Sequence, residues 1–141
     1  MLTNEQKAKI TEFAKSRPIE LVYLFGSQAR GEGKTLSDYD FAILFSNSLD
    51  STKRFELKLE AMTFLAGLLN TDSVDVVDLN SAPPAFRYEA MAPRKVVYAK
   101  SEDTRVDFER QAMAEYFDRL YYIKRHTKDS LATIAQEGLT R

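Results

Sequence analysis

Gly26-Ser27-Gln28-Ala29-Arg30-Gly31-Glu32-Gly33-Lys34-Thr35-Leu36-Ser37-Asp38-Tyr39-Asp40 is the stretch on which the reading of this chain turns. Ahead of it, Ile19-Glu20-Leu21-Val22-Tyr23-Leu24-Phe25 is a β-branched and aromatic run stopped by Gly26, the pattern of a strand entering a tight turn. Behind it, Tyr39 to Phe45 predicts a second strand. The connecting segment holds three of the chain's five glycines, Gly26, Gly31 and Gly33, which favours unusual backbone angles or close approach to a ligand. Asp38 and Asp40 stand two apart at the start of the second strand, so both carboxylates project from one face. Mg²⁺ is commonly held by one or two carboxylates plus substrate phosphates, which suits this pair to a nucleoside triphosphate. The turn supplies complementary chemistry. Gly26 lets the backbone come close, the Ser27 hydroxyl and successive N–H groups can bond phosphate oxygens, and Arg30 or Lys34 can neutralise charge. Two aspartates where a strand would prefer apolar residues form a local misfit of the kind functional sites show.

Working outward, Thr3 or Asn4 caps a helix through about Lys15, with Ile10, Phe13 and Ala14 on its buried side and Pro18 closing it. Phe55, Leu59, Met62, Ala66 and Leu69 recur at steps of four and three, predicting an amphipathic helix from about Thr52 to Asn70 with that stripe against the sheet. Ser73 to Leu79 reads as a third strand, Pro83-Pro84 opens a short helix to about Met91, and Val96-Val97-Tyr98 forms a fourth strand. From about Asp103 to Gly138 no glycine or proline intervenes, and Tyr116, Leu120, Ile123, Thr127, Leu131 and Ile134 trace one helical face. Unbroken, that helix is roughly 50 Å long, more than a small domain's width, so it either breaks or protrudes. Phe117, Tyr121 and Tyr122 lie off the main stripe and are expected at a partner surface.

The 141 residues predict one domain, with a core over about 1–100 and a helical region over about 103–138. A 44% hydrophobic fraction excludes a disordered chain. Twenty Lys plus Arg against 21 Asp plus Glu leave a formal net charge of −1, so the electrostatic footprint of a duplex binder is missing and no direct DNA binding is expected. Without cysteine there is no disulfide framework, thiolate nucleophile or Cys-ligated zinc. The polar start Met1-Leu2-Thr3-Asn4-Glu5 and the absence of any ~18-residue apolar run argue against a signal peptide or membrane span. A cytoplasmic protein is the expectation.

A strand, then Gly26-Ser27, ten residues, then Asp38-Tyr39-Asp40 on the next strand, with a further acidic strand later, resembles the nucleotidyltransferase superfamily that includes DNA polymerase beta. Gly26-Ser27-Gln28-Ala29-Arg30-Gly31 with Ser37-Asp38-Tyr39-Asp40 is most similar to its minimal nucleotidyltransferase (MNT) branch. The resemblance implies an α/β (α+β) nucleotidyltransferase fold: a mixed twisted sheet of about four strands flanked by helices, here followed by the long C-terminal helix. It also implies a third carboxylate on Ser73-Val74-Asp75-Val76-Val77-Asp78-Leu79. Strand periodicity puts Asp75 and Asp78 on opposite faces, so only one can join the pair, and the family pattern of an Asp before a short apolar run matches Asp75. By that resemblance Asp38 and Asp40 hold two Mg²⁺ ions, and Asp75 shares the one that activates an attacking hydroxyl. Gly26, Ser27 and Arg30 would bind the nucleotide, although a salt bridge pinning the loop suits Arg30 equally well. Lys34 is expected to be solvated and Asp78 to serve solubility at a strand end.

Two motifs fall away. Gly33-Lys34-Thr35 imitates the end of a P-loop, but that motif needs a glycine where Gln28 stands, and the segment opens no helix. Arg119 and His126 superficially match the pattern of HEPN ribonucleases, which are helical bundles of their own. A polymerase is disfavoured, because the chain has no room for thumb or lyase domains. Chains of this size resemble the antitoxin halves of HEPN/MNT toxin–antitoxin pairs. That resemblance implies Mg²⁺-dependent transfer of AMP from ATP to a tyrosine hydroxyl of a HEPN ribonuclease toxin, with release of pyrophosphate. The alternatives are a small-molecule nucleotidyltransferase, which would need a second helical domain, and a non-catalytic antitoxin that acts by contact alone.

Overall fold

A computed structural model describes residues 2–25, 39–92 and 95–137, with side chains described as far as residue 127. Helix α1, Asn4–Lys15, starts at a capping box: Thr3 Oγ1 accepts from the Gln6 amide, and Gln6 Oε1 accepts from the Thr3 amide. Strands β1, Ile19–Phe25, and β2, Tyr39–Phe45, have the predicted bounds. Helix α2, Ser51–Leu69, is capped by the Asp50 side chain and ended by Asn70 in the left-handed region at φ 53°. Strand β3, Val74–Asp78, helix α3, Pro84–Ala90, strand β4, Val96–Ala99, and helix α4, Glu102–Glu137, complete the order αββαβαβα. The four strands form one mixed sheet in the order β3-β2-β1-β4, parallel only between β2 and β3 and antiparallel elsewhere. That agrees with the mixed four-stranded sheet expected.

The parallel pair requires a crossover, which α2 provides. Each face of the sheet carries its own core. On one, Phe41, Ile43, Phe45, Val74 and Val76 pack with Ile10, Phe13 and Ala14 of α1 and with Leu57, Ala61 and Leu65 of α2. On the other, Leu21, Tyr23 and Ala42 pack with Ala90 and Met91 at the end of α3 and with Ala112 of α4.

The buried face of α2 is Leu57, Ala61 and Leu65, and the expected stripe is corrected at its first two positions: Phe55 and Leu59 are 58% and 46% exposed. This helix carries apolar residues all round, so two stripes with helical spacing compete, and periodicity alone cannot choose between them. Helix α4 resolves its own alternative by protruding: 36 unbroken residues make about 54 Å. Its first half is anchored through a buried polar group. Tyr23 Oη donates to Glu109 Oε2 at 2.8 Å, and Arg105 Nη1 donates to Glu109 Oε1 at 2.9 Å. A hydrogen bond to Glu102, with Glu109 nearby, holds the Arg105 guanidinium protonated beyond its already high range. Beyond Leu120 every described side chain is exposed, so the predicted stripe stays uncovered at Ile123 and Thr127.

Candidate active site

The parallel register sets Asp40 of β2 directly against Asp75 of β3. The antiparallel register sets Phe25, the last residue of β1, directly against Asp40. Side chains alternate along a strand, so the face of each follows from its neighbours. Asp40 shares parity with Ala42 and Leu44, and Phe25 with Tyr23 and Leu21, all on the α3/α4 side. Phe25, Asp40 and Asp75 therefore form a row across three strands, on one face and at one end of the sheet. Adjacent strands lie about 4.8 Å apart, which brings the two carboxylates within reach of a shared cation. Asp75 is exposed and Asp40 half-buried, so the row opens to solvent.

Asp78 lies on the opposite face, opposite Ile43. Its Oδ2 accepts from Arg54 Nε of α2 at 2.9 Å, its Oδ1 accepts from the Asn80 amide at 2.8 Å, and Ser81 Oγ donates to Oδ2 at 3.3 Å. This carboxylate ties α2 to the end of β3. Arg54 was not legible as its partner, because the contact spans the crossover. Gly26, Ser27, Arg30 and Asp38 lie outside the described residues. Among the described residues no group of three or more His, Asp or Glu side chains is arranged to hold a metal ion. Arg119 and His126 are exposed on α4, where the His126 ring lies 4.0 Å from that of Tyr122.

Sequence reasoning missed the aromatic neighbours of the acidic pair. Phe86 of α3 meets Phe25 edge to face, with centroids 5.3 Å apart and planes at 84°. Further along, Tyr88 of α3 stacks on Tyr116 of α4 at 4.2 Å, and Phe117 packs edge-on against both. The usable signal was the parity of Phe25 with Asp40 once β1 and β2 are paired as a hairpin.

A strand-borne pair of carboxylates at the open end of a mixed αβ sheet defines a class, and comparison supplies it. The family described as polymerase beta, nucleotidyltransferase matches residues 8–103, and the chain belongs to that family. A Shewanella oneidensis protein named protein adenylyltransferase MntA is 35% identical over 85 residues, which are 60% of this chain and 58% of the relative. The match thus spans just over half of that relative's length. Among solved structures, a chain of a toxin–antitoxin crystal structure with AMP-PNP aligns with a TM-score of 0.64 at 27% identity, covering 92% of this chain and 99% of that one. A chain from the complex of tri-AMPylated Shewanella oneidensis HEPN toxin with MNT antitoxin aligns with a TM-score of 0.63 at 25% identity and the same coverage. Among the described residues no helix is long and apolar enough to cross a membrane.

Proposed function

We propose that this chain is a protein adenylyltransferase that acts as the antitoxin of a HEPN toxin, moving AMP from ATP to a tyrosine hydroxyl of that toxin. The observation that carries the reading is the Asp40–Asp75 register on one open face of a polymerase beta-type nucleotidyltransferase sheet. The names of its relatives and the AMPylated partner in a structural neighbour's complex support the choice of reaction.

The donor set fits Mg²⁺. Asp40 and Asp75 offer only carboxylate oxygens, at neighbouring-strand spacing and open to solvent. With Asp38 they would hold two ions, Asp75 on the side of the acceptor hydroxyl. When bound, the metal supplies charge neutralisation at the entering and leaving oxygens. The chain's own part is positioning. Gly26 and Ser27 would cradle the phosphates, and Arg30 would add charge there. In the reaction the tyrosyl oxygen bonds to the α-phosphorus, the bond from that phosphorus to the oxygen bridging toward the β-phosphate breaks, and pyrophosphate leaves. The acceptor proton passes to an aspartate, the chain's sole histidine lying exposed on α4.

Phe117, Tyr121 and Tyr122 are 53%, 66% and 61% exposed, and this ridge is read as a docking surface for the toxin. The test is incubation with α-labelled ATP, Mg²⁺ and the product of the neighbouring gene, followed by intact mass. AMP units gained by the partner and absent with Asp40→Ala are expected. No gain with a stable complex would select an antitoxin acting by contact alone. No gain and no complex would select a small-molecule acceptor.

A further inference from the structure

Resting on that reading of the acidic pair, we propose that Phe25 and Phe86 form the platform on which the nucleobase of the bound triphosphate stacks. The two rings stand at the correct end and on the correct face: Phe25 is directly opposite Asp40, so their Cβ atoms are about 5 Å apart. They occupy the side of Asp40 away from Asp75, and Asp75 is the carboxylate assigned to the acceptor. A flat ring on this platform therefore belongs to the nucleotide and not to the tyrosine under attack.

In edge-to-face packing at 84° the ring that presents its edge spends neither of its own faces on this contact. Both residues sit at the rim of the core on this face, half-buried, whereas Tyr23 and Leu21 behind them are fully buried. A nucleobase is held by such a surface largely without regard to its edge groups, since every base presents a π-face. The platform would add affinity for any nucleoside triphosphate and leave base choice to other contacts.

The experiment compares binding of ATP and of inorganic tripolyphosphate, each with Mg²⁺, by calorimetry, in the wild-type chain and in Phe86→Leu and Phe25→Leu. Stacking on an aromatic side chain predicts that each variant binds ATP about fivefold or more weakly while tripolyphosphate binding is unchanged. Unchanged ATP affinity, or an equal loss for both ligands, overturns the platform and leaves the adenylyltransferase reading intact. Failure of the wild type to bind either ligand overturns both. Should the variants fail to fold, the wild-type chain with 2-aminopurine riboside triphosphate decides: quenched fluorescence on binding supports the platform, and unquenched fluorescence overturns it.

Discussion

Asp75 and Asp78 belong to the same five-residue strand and live in opposite surroundings. Asp78 is enclosed by an arginine, a backbone amide and a hydroxyl: Oδ2 holds α2 to β3 through Arg54, and Oδ1 accepts from the Asn80 amide just past the strand. Asp75 is exposed on the other face, against a second carboxylate that opposes it in register. Carboxylates that build structure are surrounded by donors. Like charges set side by side repel, and the exposed Asp75 carboxylate adds to that repulsion where Asp78 relieves its own charge with donors. The strand's period of two turns a three-residue separation into this division of labour.

The sharpest way to break the comparison is to remove one charge at a time. Asp75→Asn is expected to lower AMP transfer by about 100-fold or more, above the loss typical of a group that merely supports a metal ligand, with unfolding by urea unchanged. Transfer within a fewfold of wild type would remove Asp75 from the site. Asp78→Asn should do the reverse. Weakening the Arg54 pair costs about 1–3 kcal/mol of stability in the same urea titration, while the folded fraction keeps its transfer rate. An intermediate contrast is that of α2, where Leu57→Ala should lose about 2–4 kcal/mol and Phe55→Ala less than about 0.5 kcal/mol, because only Leu57 faces the sheet. Equal losses would mean that Phe55 is covered in solution.

Smaller effects are expected on α4. Tyr23→Phe removes one of the hydrogen bonds to buried Glu109 and should cost about 1 kcal/mol by the same titration. Smallest is Tyr121→Ser, for which a change within about 0.5 kcal/mol is expected in the isolated chain. If the same substitution measurably weakens capture of the proposed HEPN partner, the enclosed and open halves of this helix differ in function as they do in exposure.

The legible parts of this molecule were those that local rules determine. Ile19–Phe25 and Tyr39–Phe45 announce themselves by composition, and Thr3 with Gln6 sets the start of α1 through a contact three residues long. Periodicity alone separated Asp75 from Asp78 without saying which faces Asp40, and that depends on a register formed across the sheet. Nor could it find Arg54 beside Asp78, or Phe86 beside Phe25, since both partners arrive from distant segments. On α2 it failed for a different reason: Phe55 and Leu57 are both apolar, and only the rotation of the helix about its own axis decides which is covered. The segment that carries Gly26, Ser27, Arg30 and Asp38 lies outside the described residues, so its part in the site rests on the likeness to the family.

The crossover between β2 and β3 also sets a timetable. A chain emerging from the ribosome exposes Asp40 well before Asp75, and the two become neighbours only when β3 is laid alongside β2 across the α2 crossover. Parallel pairings of this kind have high contact order and are among the later contacts to form. The proposed metal site is therefore complete only in the assembled sheet, and a chain that stops short of β3 would carry Asp40 without the carboxylate set against it.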